Sequence, residues 1–415
     1  MFLQWSIVIF YDIVRDVLTA RRNEKKSNRG SMRSIELFAG AGGLGLGVAA
    51  AGFKNTATVE WDRWCCETLR ENKARGLDQV ADWAIQQGDV RDLDYRQYEG
   101  KVDLVTGGPP CQPFSVGGKH RGNDDARDMF PAAVSVVRQT KPKAFIFENV
   151  KGLTRATFTS YFEYIKLQLT FPGLRRRKEE DWTAHLARLE DHQTRGRYRG
   201  LKYNVVARVL NAANYGVPQK RERVFLVGFR DEPGLEGWHF PEGQYSKEAL
   251  LWSQATGEYW DRLEVRKKDR IIPREADRVR HPPNSQPWRT VREAIGDLPD
   301  PECHPRKSSG WLNHKFQPGA RSYPGHTGSP LDEPAKTLKA GVHGVPGGEN
   351  MLRRPDGSIR YFTVRESARL QTFPDDFVFH GAWSETMRQL GNAVPVDLAA
   401  IIAGDVRRHL NKVKG

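Results

Sequence analysis

Residues 107–115 read GGPPCQPFS, and they place one of the chain's four cysteines, Cys111, in a stiff frame. Pro109, Pro110 and Pro113 fix backbone φ around the thiol, while Gly107 and Gly108 let the chain turn tightly before it. Packing gains nothing from such rigidity, whereas a thiolate that must attack at a set angle does. Lys119 and Arg121 supply nearby positive charge for activating it. A carboxylate, Glu148, ends the apolar run AFIFENV, where desolvation raises its pKa and lets it hold or donate a proton near neutrality. Gln219, Arg221 and Arg223 alternate in QKRER before VFLVG, so a strand there puts all three on one side, able to hold a carbonyl or phosphates. Ion pairing with surface acids is the alternative use of those arginines.

A second cluster of unusual residues is suited to holding a ligand. Gly40-Ala-Gly42-Gly43-Leu44-Gly45 matches G-x-G-x-x-G between a predicted strand and a predicted helix, with Glu60 twenty positions past Gly40. The glycines admit close backbone approach, and Glu60 can accept from both hydroxyls of a ribose. Asp89, in GDVRD, stands at the next predicted strand end, placed to accept from an adenine amino group. Two acids at successive strand ends suit an adenosine better than a diphosphate, which favours cations. The loop alone does not separate a nicotinamide dinucleotide from another adenosyl cofactor, although a dehydrogenase gives no reason for the proline-framed cysteine.

These residues need a scaffold, and the pattern around them supplies one. SIELFAG, TATVEWD, VDLVTGGPP and AFIFENV read as strands, separated by helical stretches, which predicts an α/β fold with a mostly parallel sheet covered on both faces. Ligands in such sheets lie at the carboxyl ends of the strands, where every residue named above falls. YNVVARVLN and RERVFLVGF resume the sheet. Thr363 and Glu366 form a T-x-x-E capping box, and Pro395 opens a last helix. The stretch 172–202 breaks the rhythm as a basic surface insertion, with Trp182, Leu186 and Leu189 at helical spacing. The expected organisation is an N-terminal extension over 1–32, a catalytic and cofactor-binding domain over 33–230 completed by 376–415, and a smaller irregular domain over 231–375, rich in Pro, Gly, Trp and Arg.

Composition narrows the partners. The 415 residues hold 65 Lys+Arg against 51 Asp+Glu, a net charge of +14, which favours a polyanion such as nucleic acid. With 38% hydrophobic and 28% charged residues the chain is globular. Cys65, Cys66, Cys111 and Cys303 form no C-x-x-C pair, so neither a zinc site nor a disulfide framework is expected, and a reducing cytoplasm suits the chain. The apolar start is interrupted by Asp12, Arg15 and Asp16 too early for a membrane span, and with no basic stretch before it and no clear small-residue cleavage site a secretory signal is not expected. It reads as an accessory helix or as the product of an upstream start codon with Met32 as the working one.

Taken together, FAGAGGLG, VEWD, GGPPCQPFS, FENV, QKRER, RESARLQTFP and GNAVP occur in the order of the bacterial-type DNA cytosine-5 methyltransferases, which the chain closely resembles over 33–230 and 360–410. DDARDMF, with Asp125, Arg127 and Phe130, also resembles the family's element after the catalytic loop. The resemblance implies a Rossmann-like methyltransferase domain with a target-recognition domain, S-adenosylmethionine as methyl donor, and no metal. It further implies that Cys111 adds to C6 of a flipped-out cytosine, that Glu148 hydrogen-bonds N3 and the exocyclic amine, and that Arg223, with Arg221, holds O2. Phe38, Gly40, Gly42, Leu44, Glu60, Trp61, Asp89, Val90, Pro110, Asn392 and Val394 would line the cofactor pocket. Gln112, Ser115, Lys119 and Gln219 would touch duplex DNA, with 115–123 closing on it about Gly117 and Gly118. A monomer acting in the cytoplasm, near the nucleoid, is implied, paired in function only with a restriction endonuclease. A tRNA cytosine-5 methyltransferase on the same scaffold is the alternative, which methyl transfer to duplex DNA against tRNA separates. A DNA-binding regulator with a dead site is the reading from another class, and Cys111→Ala separates it from an enzyme.

Overall fold

In the computed structural model the described residues are 31–110, 128–340 and 350–412. Seven strands form the central sheet: β1 (Arg33–Leu37), β2 (Lys54–Glu60), β3 (Ile85–Gln87), β4 (Leu104–Gly107), β5 (Ala144–Val150), β6 (Tyr203–Asn211) and, after the two-residue β7 (Gln219–Lys220), β8 (Glu222–Arg230). Their order is β3-β2-β1-β4-β5-β8-β6. The first five run parallel, and β8 enters antiparallel to both β5 and β6. Strand order reverses between β1 and β4, so the crevice that binds ligands in open sheets lies at the ends of these two strands.

Alternation along each strand shows why both faces are covered. Phe145 and Phe147 of β5 join one core with Val224 and Leu226 of β8, Ile35 and Leu37 of β1, and helices α3 (Phe130–Thr140) and α4 (Thr159–Thr170). Ala144 and Ile146 point the other way, into a core with Phe225, Val227 and the closing helix Val396–Lys412. That closing helix packs on α1 (Gly43–Ala50) through glycine: a Cβ on Gly47 would lie 2.4 Å from the Ala399 Cβ, and one on Gly43 would lie 2.3 Å from the Val394 carbonyl. A third core sets α2 (Arg63–Ala74), through Leu69, against Phe373, Phe377 and Leu390.

Smaller cores built on Val291, Leu338 and Leu352, and on Leu250, Tyr259 and Trp260, hold most of the second lobe. Its regular pieces are short, as the run of Pro and Gly predicts. Past position 231 the chain first stays with the large lobe: Leu235, Trp238 and Phe240 join the Phe225 core, and Trp238 Nε1 donates to Asp405 Oδ1 at 2.7 Å. The predicted capping box is present, with Thr363 Oγ1 accepting from the Glu366 N–H at 3.1 Å and Glu366 Oε2 accepting from the Thr363 N–H at 2.8 Å. The helix it opens, Val364–Leu370, joins the lobes: Val364 and Ala368 lie in the Leu69 core, Leu370 in the Leu338 core.

Candidate active site

Glu148 is the penultimate residue but one of β5, and β8 runs antiparallel beside it with Val150 opposite Arg223. Residues two apart on a strand share a face, so Arg223 lies diagonally across from Glu148 and reaches back to it. Its Nε stands 2.9 Å from Glu148 Oε1, with both side chains largely buried. Burial pushes the Glu148 carboxyl above its usual range, and the charges of Arg223 and Arg221 oppose that rise without reversing it. The other carboxyl oxygen faces the β4 end, where a Cβ on Gly108 would lie 3.4 Å from Glu148 Oε2.

The segment that carries the cysteine is held at both ends. Upstream, Asn149 Nδ2 donates to the Pro109 carbonyl at 2.8 Å. Downstream, the Met129 N–H donates to the Pro110 carbonyl at 3.0 Å, so positions 110 and 129 are clamped together. Cys111, Gln112, Ser115 and Lys119 lie outside the described residues. Pro110 is the last described residue before the thiol, and its neighbour Pro109 is tied by Asn149 to the residue next to Glu148.

At the β1–β4 crevice the glycine loop takes the conformation its sequence demands: Gly40 and Gly42 have φ of +55° and +87°, and Gly42 caps α1. Phe38 just before them also sits at positive φ, 52°. Glu60 organises the loop. It accepts from the Gly40 N–H at 2.7 Å and from the N–H groups of Trp61 and Asp62 at 2.9 and 2.8 Å. Three of about four lone-pair positions are then used, leaving one for a ligand hydroxyl. Beside it Trp61 is 75% exposed, a flat apolar face at the mouth of the crevice, and a Cβ on Gly40 would meet nothing within 4 Å. Asp89 is tied to the same rim, since the Gly88 N–H donates to the Glu60 carbonyl at 2.9 Å. Its carboxylate is met by Arg91 at 3.0 and 2.6 Å, a partner that a ligand amine would share. Val90 is buried, Asn392 is exposed, and Leu44 and Val394 pack in the Phe225 core at the base of the loop. These residues fit an adenosyl group: open space over glycine, an aromatic face, and a carboxylate with one free acceptor position.

Two expected site residues are used elsewhere. Gln219, expected at a DNA surface, is fully buried; its Nε2 donates to the Leu370 carbonyl at 3.2 Å and its Oε1 accepts from the Leu338 N–H at 3.1 Å. Arg221, expected beside the substrate, donates to the carbonyls of Leu338 at 3.2 Å and Gly391 at 2.8 Å. The reason is the short parallel pairing of β7 with Ala335–Lys336, which covers the face that alternation predicted but could not show to be roofed. Sequence reasoning assigned no part to two other residues. Asn149 holds the Pro109 end, and its adjacency to Glu148 is the only signal. Glu36 of β1 is a carboxyl in the apolar run IELF, buried against α1 with Oε1 accepting from the Gly45 N–H at 2.9 Å. Burial pushes its pKa up to about 8.

Residues 32–174 and 197–408 match the family model described as C-5 cytosine-specific DNA methylase. The chain belongs to that family. As a DNA cytosine-5 methyltransferase it is 33% identical over 385 residues to the Type II methyltransferase M.PspPI of Psychrobacter sp. (strain TA137), covering 91% of this chain and 79% of that one. It is 31% identical over 383 residues to the Type II methyltransferase M.NgoMIV of Neisseria gonorrhoeae, covering 91% and 98%. Two solved structures share the fold of the methyltransferase: Entamoeba histolytica methyltransferase EhMeth (TM-score 0.55, 13% identity, 93% and 100% covered) and S. pombe Dnmt2 methyltransferase (0.52, 16%, 92% and 99%). Among the described residues no helix is long and apolar enough to cross a membrane, and no three His, Cys, Asp or Glu side chains gather as a metal site requires.

Proposed function

We propose that this methyltransferase modifies C5 of a cytosine flipped out of duplex DNA, through a covalent bond from Cys111 to C6, as the modification partner of a restriction endonuclease. The observation that carries the reading is the buried Glu148–Arg223 pair at 2.9 Å, one residue from the Asn149 that holds the cysteine-bearing segment. A carboxyl whose pKa is raised by burial can keep a proton and donate it to the N3 edge of the base, while Arg223 fixes the carboxyl through Nε, donates from Nη1 to the Glu222 carbonyl at 2.8 Å, and keeps Nη2 to donate to O2. Polarised in this way, C6 accepts the thiolate and C5 gains the electron density for attack on a methyl group. After transfer, loss of the C5 proton to a base expels the Cys111 sulfur and restores the ring.

S-adenosylmethionine, when bound, supplies an electrophilic methyl group on a sulfonium. Glu60 with its remaining acceptor position, Trp61 with its exposed ring, Phe38, Asp89 and the Gly40–Gly42 backbone are the residues that would hold its adenosine, with Leu44, Val90, Pro110, Asn392 and Val394 around them. Gln112, Ser115 and Lys119 remain the proposed DNA contacts next to the cysteine, whereas Gln219 and Arg221 act by joining the lobes. The Type II relatives support the restriction link, and the +14 charge supports the DNA partner.

Trapping tests the reading. A duplex oligonucleotide carrying 5-fluorocytosine in the target site, incubated with enzyme and S-adenosylmethionine, is expected to give a covalent complex that resists denaturant, and Cys111→Ser is expected to give none. A wild-type enzyme that methylates the natural duplex but is never trapped would refute the covalent route.

A further inference from the structure

The family match passes over residues 175–196, and this stretch is not a loose surface addition. It contains the helix α5 (Trp182–Arg195), capped by Asp181 accepting from the Ala184 N–H at 2.7 Å. Leu189 is fully buried in the core that also holds Tyr161, Tyr164 and Phe145. His185 is 1% exposed and bridges Tyr164 Oη at 2.9 Å and the Leu174 carbonyl at 2.8 Å. Arg188 binds both oxygens of Glu180 and the Arg175 carbonyl, each at 2.7 Å, so the incoming chain is fixed as well.

From this docked helix a line of contacts leads to the active site. The Trp182 ring meets Tyr161 edge-on at 6.1 Å and Tyr164 at 5.7 Å. Tyr161 is 4% exposed, and its hydroxyl donates to Asp128 Oδ2. Asp128 is the first described residue after the cysteine-bearing segment; its Oδ1 accepts from the Phe130 N–H at 3.2 Å, next to the Met129–Pro110 clamp. Covering the apolar flank of α4 would need only the rings. It gives no reason for a buried tyrosine hydroxyl aimed at a carboxylate, where phenylalanine would pack as well.

We infer that residues 175–196 act through Trp182 and Tyr161 as positioning residues for Asp128, and so set the downstream anchor of the segment bearing the nucleophile. The inference rests on Cys111 being that nucleophile, but its test reads methyl transfer itself and is independent of trapping. The reaction needs the thiol placed within a fraction of an ångström, and an error near 1 Å can cost on the order of 100-fold in rate.

The measurement is single-turnover methyl transfer with full-length enzyme in excess over duplex DNA, alongside the S-adenosylmethionine Kd and the melting temperature. Tyr161→Phe keeps the ring and loses only the hydroxyl. It is expected to slow transfer at least about tenfold, with the S-adenosylmethionine Kd within about twofold of wild type and the melting temperature nearly unchanged. Asp128→Ala should slow transfer similarly, the double variant no further, and Asp128→Asn, which keeps an acceptor oxygen, should recover much of the rate. Trp182→Phe should exceed Trp182→Ala. Transfer by Tyr161→Phe within about twofold of wild type overturns the inference, as does additivity in the double variant or a slowing matched by lost cofactor affinity and melting temperature.

Discussion

Glu148 and Glu36 show how burial gives two carboxyls different tasks. Glu148 has a guanidinium at 2.9 Å and its other oxygen toward Gly108. Replacing it with Gln keeps the shape but removes the transferable proton, and a loss of about 10²–10³ in single-turnover methyl transfer is expected, with S-adenosylmethionine affinity retained. Because the raised pKa keeps the acid protonated at lower pH, wild-type transfer should decline as pH rises through it, and Glu148→Gln should lack that alkaline limb. A pH–rate profile of both enzymes checks this. Glu36 differs: Oε1 takes the Gly45 N–H while Oε2 is buried with no hydrogen-bond partner among the described residues. Its pKa stands near 8 when folded, against an ordinary 4.5. Between those values the native state holds a proton that the unfolded chain has released, so this group makes the fold progressively less stable as pH rises, with no further loss above about 8. Glu36→Gln should therefore gain stability over wild type by a few kcal/mol at pH 9, with the gap closing toward pH 4.5. Urea titrations at the two pH values measure it.

Among the elements, those carried by local patterns were readable in advance. The strand ends with their glycines, α1 closing toward Gly52 at positive φ, and the Thr363–Glu366 box all depend on neighbours within a few residues. The insertion of β8 between β5 and β6 depends on partners far apart in sequence, and so did the identity of what covers Gln219 and Arg221. Alternation assigned those two a face; only tertiary structure shows a carbonyl waiting there. Glu36 was missed for a related reason: a single acid in an apolar strand looks like an edge residue until α1 is seen on top of it. The glycine pattern itself hides two different constraints. A methyl at Gly45 would lie 1.7 Å from Glu36 Oε2 and 2.5 Å from Trp83, whereas one at Gly40 has free space and pays only for its φ. Gly45→Ala is therefore expected to lower stability by at least about 2 kcal/mol and to weaken S-adenosylmethionine binding. Gly40→Ala should cost about 1–2 kcal/mol in stability. Denaturant unfolding and calorimetric titration of the two variants test the contrast.

At the scale of the whole molecule, charge and lobe contact decide the behaviour. With a net +14, DNA affinity should fall steeply and linearly on a log–log plot against salt, with slope about −0.9 for each phosphate neutralised. Fluorescence anisotropy over a salt series gives that slope, and a nearly flat line would contradict a backbone-dominated interface. A modified site of palindromic form is also expected, because one active site that marks both strands must find the same sequence on each; methylome sequencing in a methylation-free host reads it directly.

The lobes are not joined by apolar packing alone. Gln219 and Arg221 cross the boundary to meet backbone groups at Leu338 and Leu370, Arg221 also donates within its own lobe to the Gly391 carbonyl, and on the far side Lys339 is held on both its N–H and carbonyl by Asn350 at 3.0 and 3.1 Å. Because the partners of these two side chains are main-chain groups, they make no demand on side-chain identity, only on where the chain runs. A second lobe of quite different sequence could thus be grafted onto this half, provided its backbone passes position 338 in the same register as the original. Chimaeras that preserve that register should fold, while those shifted by one residue should leave Arg221 with the Gly391 carbonyl alone and the N–H that meets Leu338 stranded.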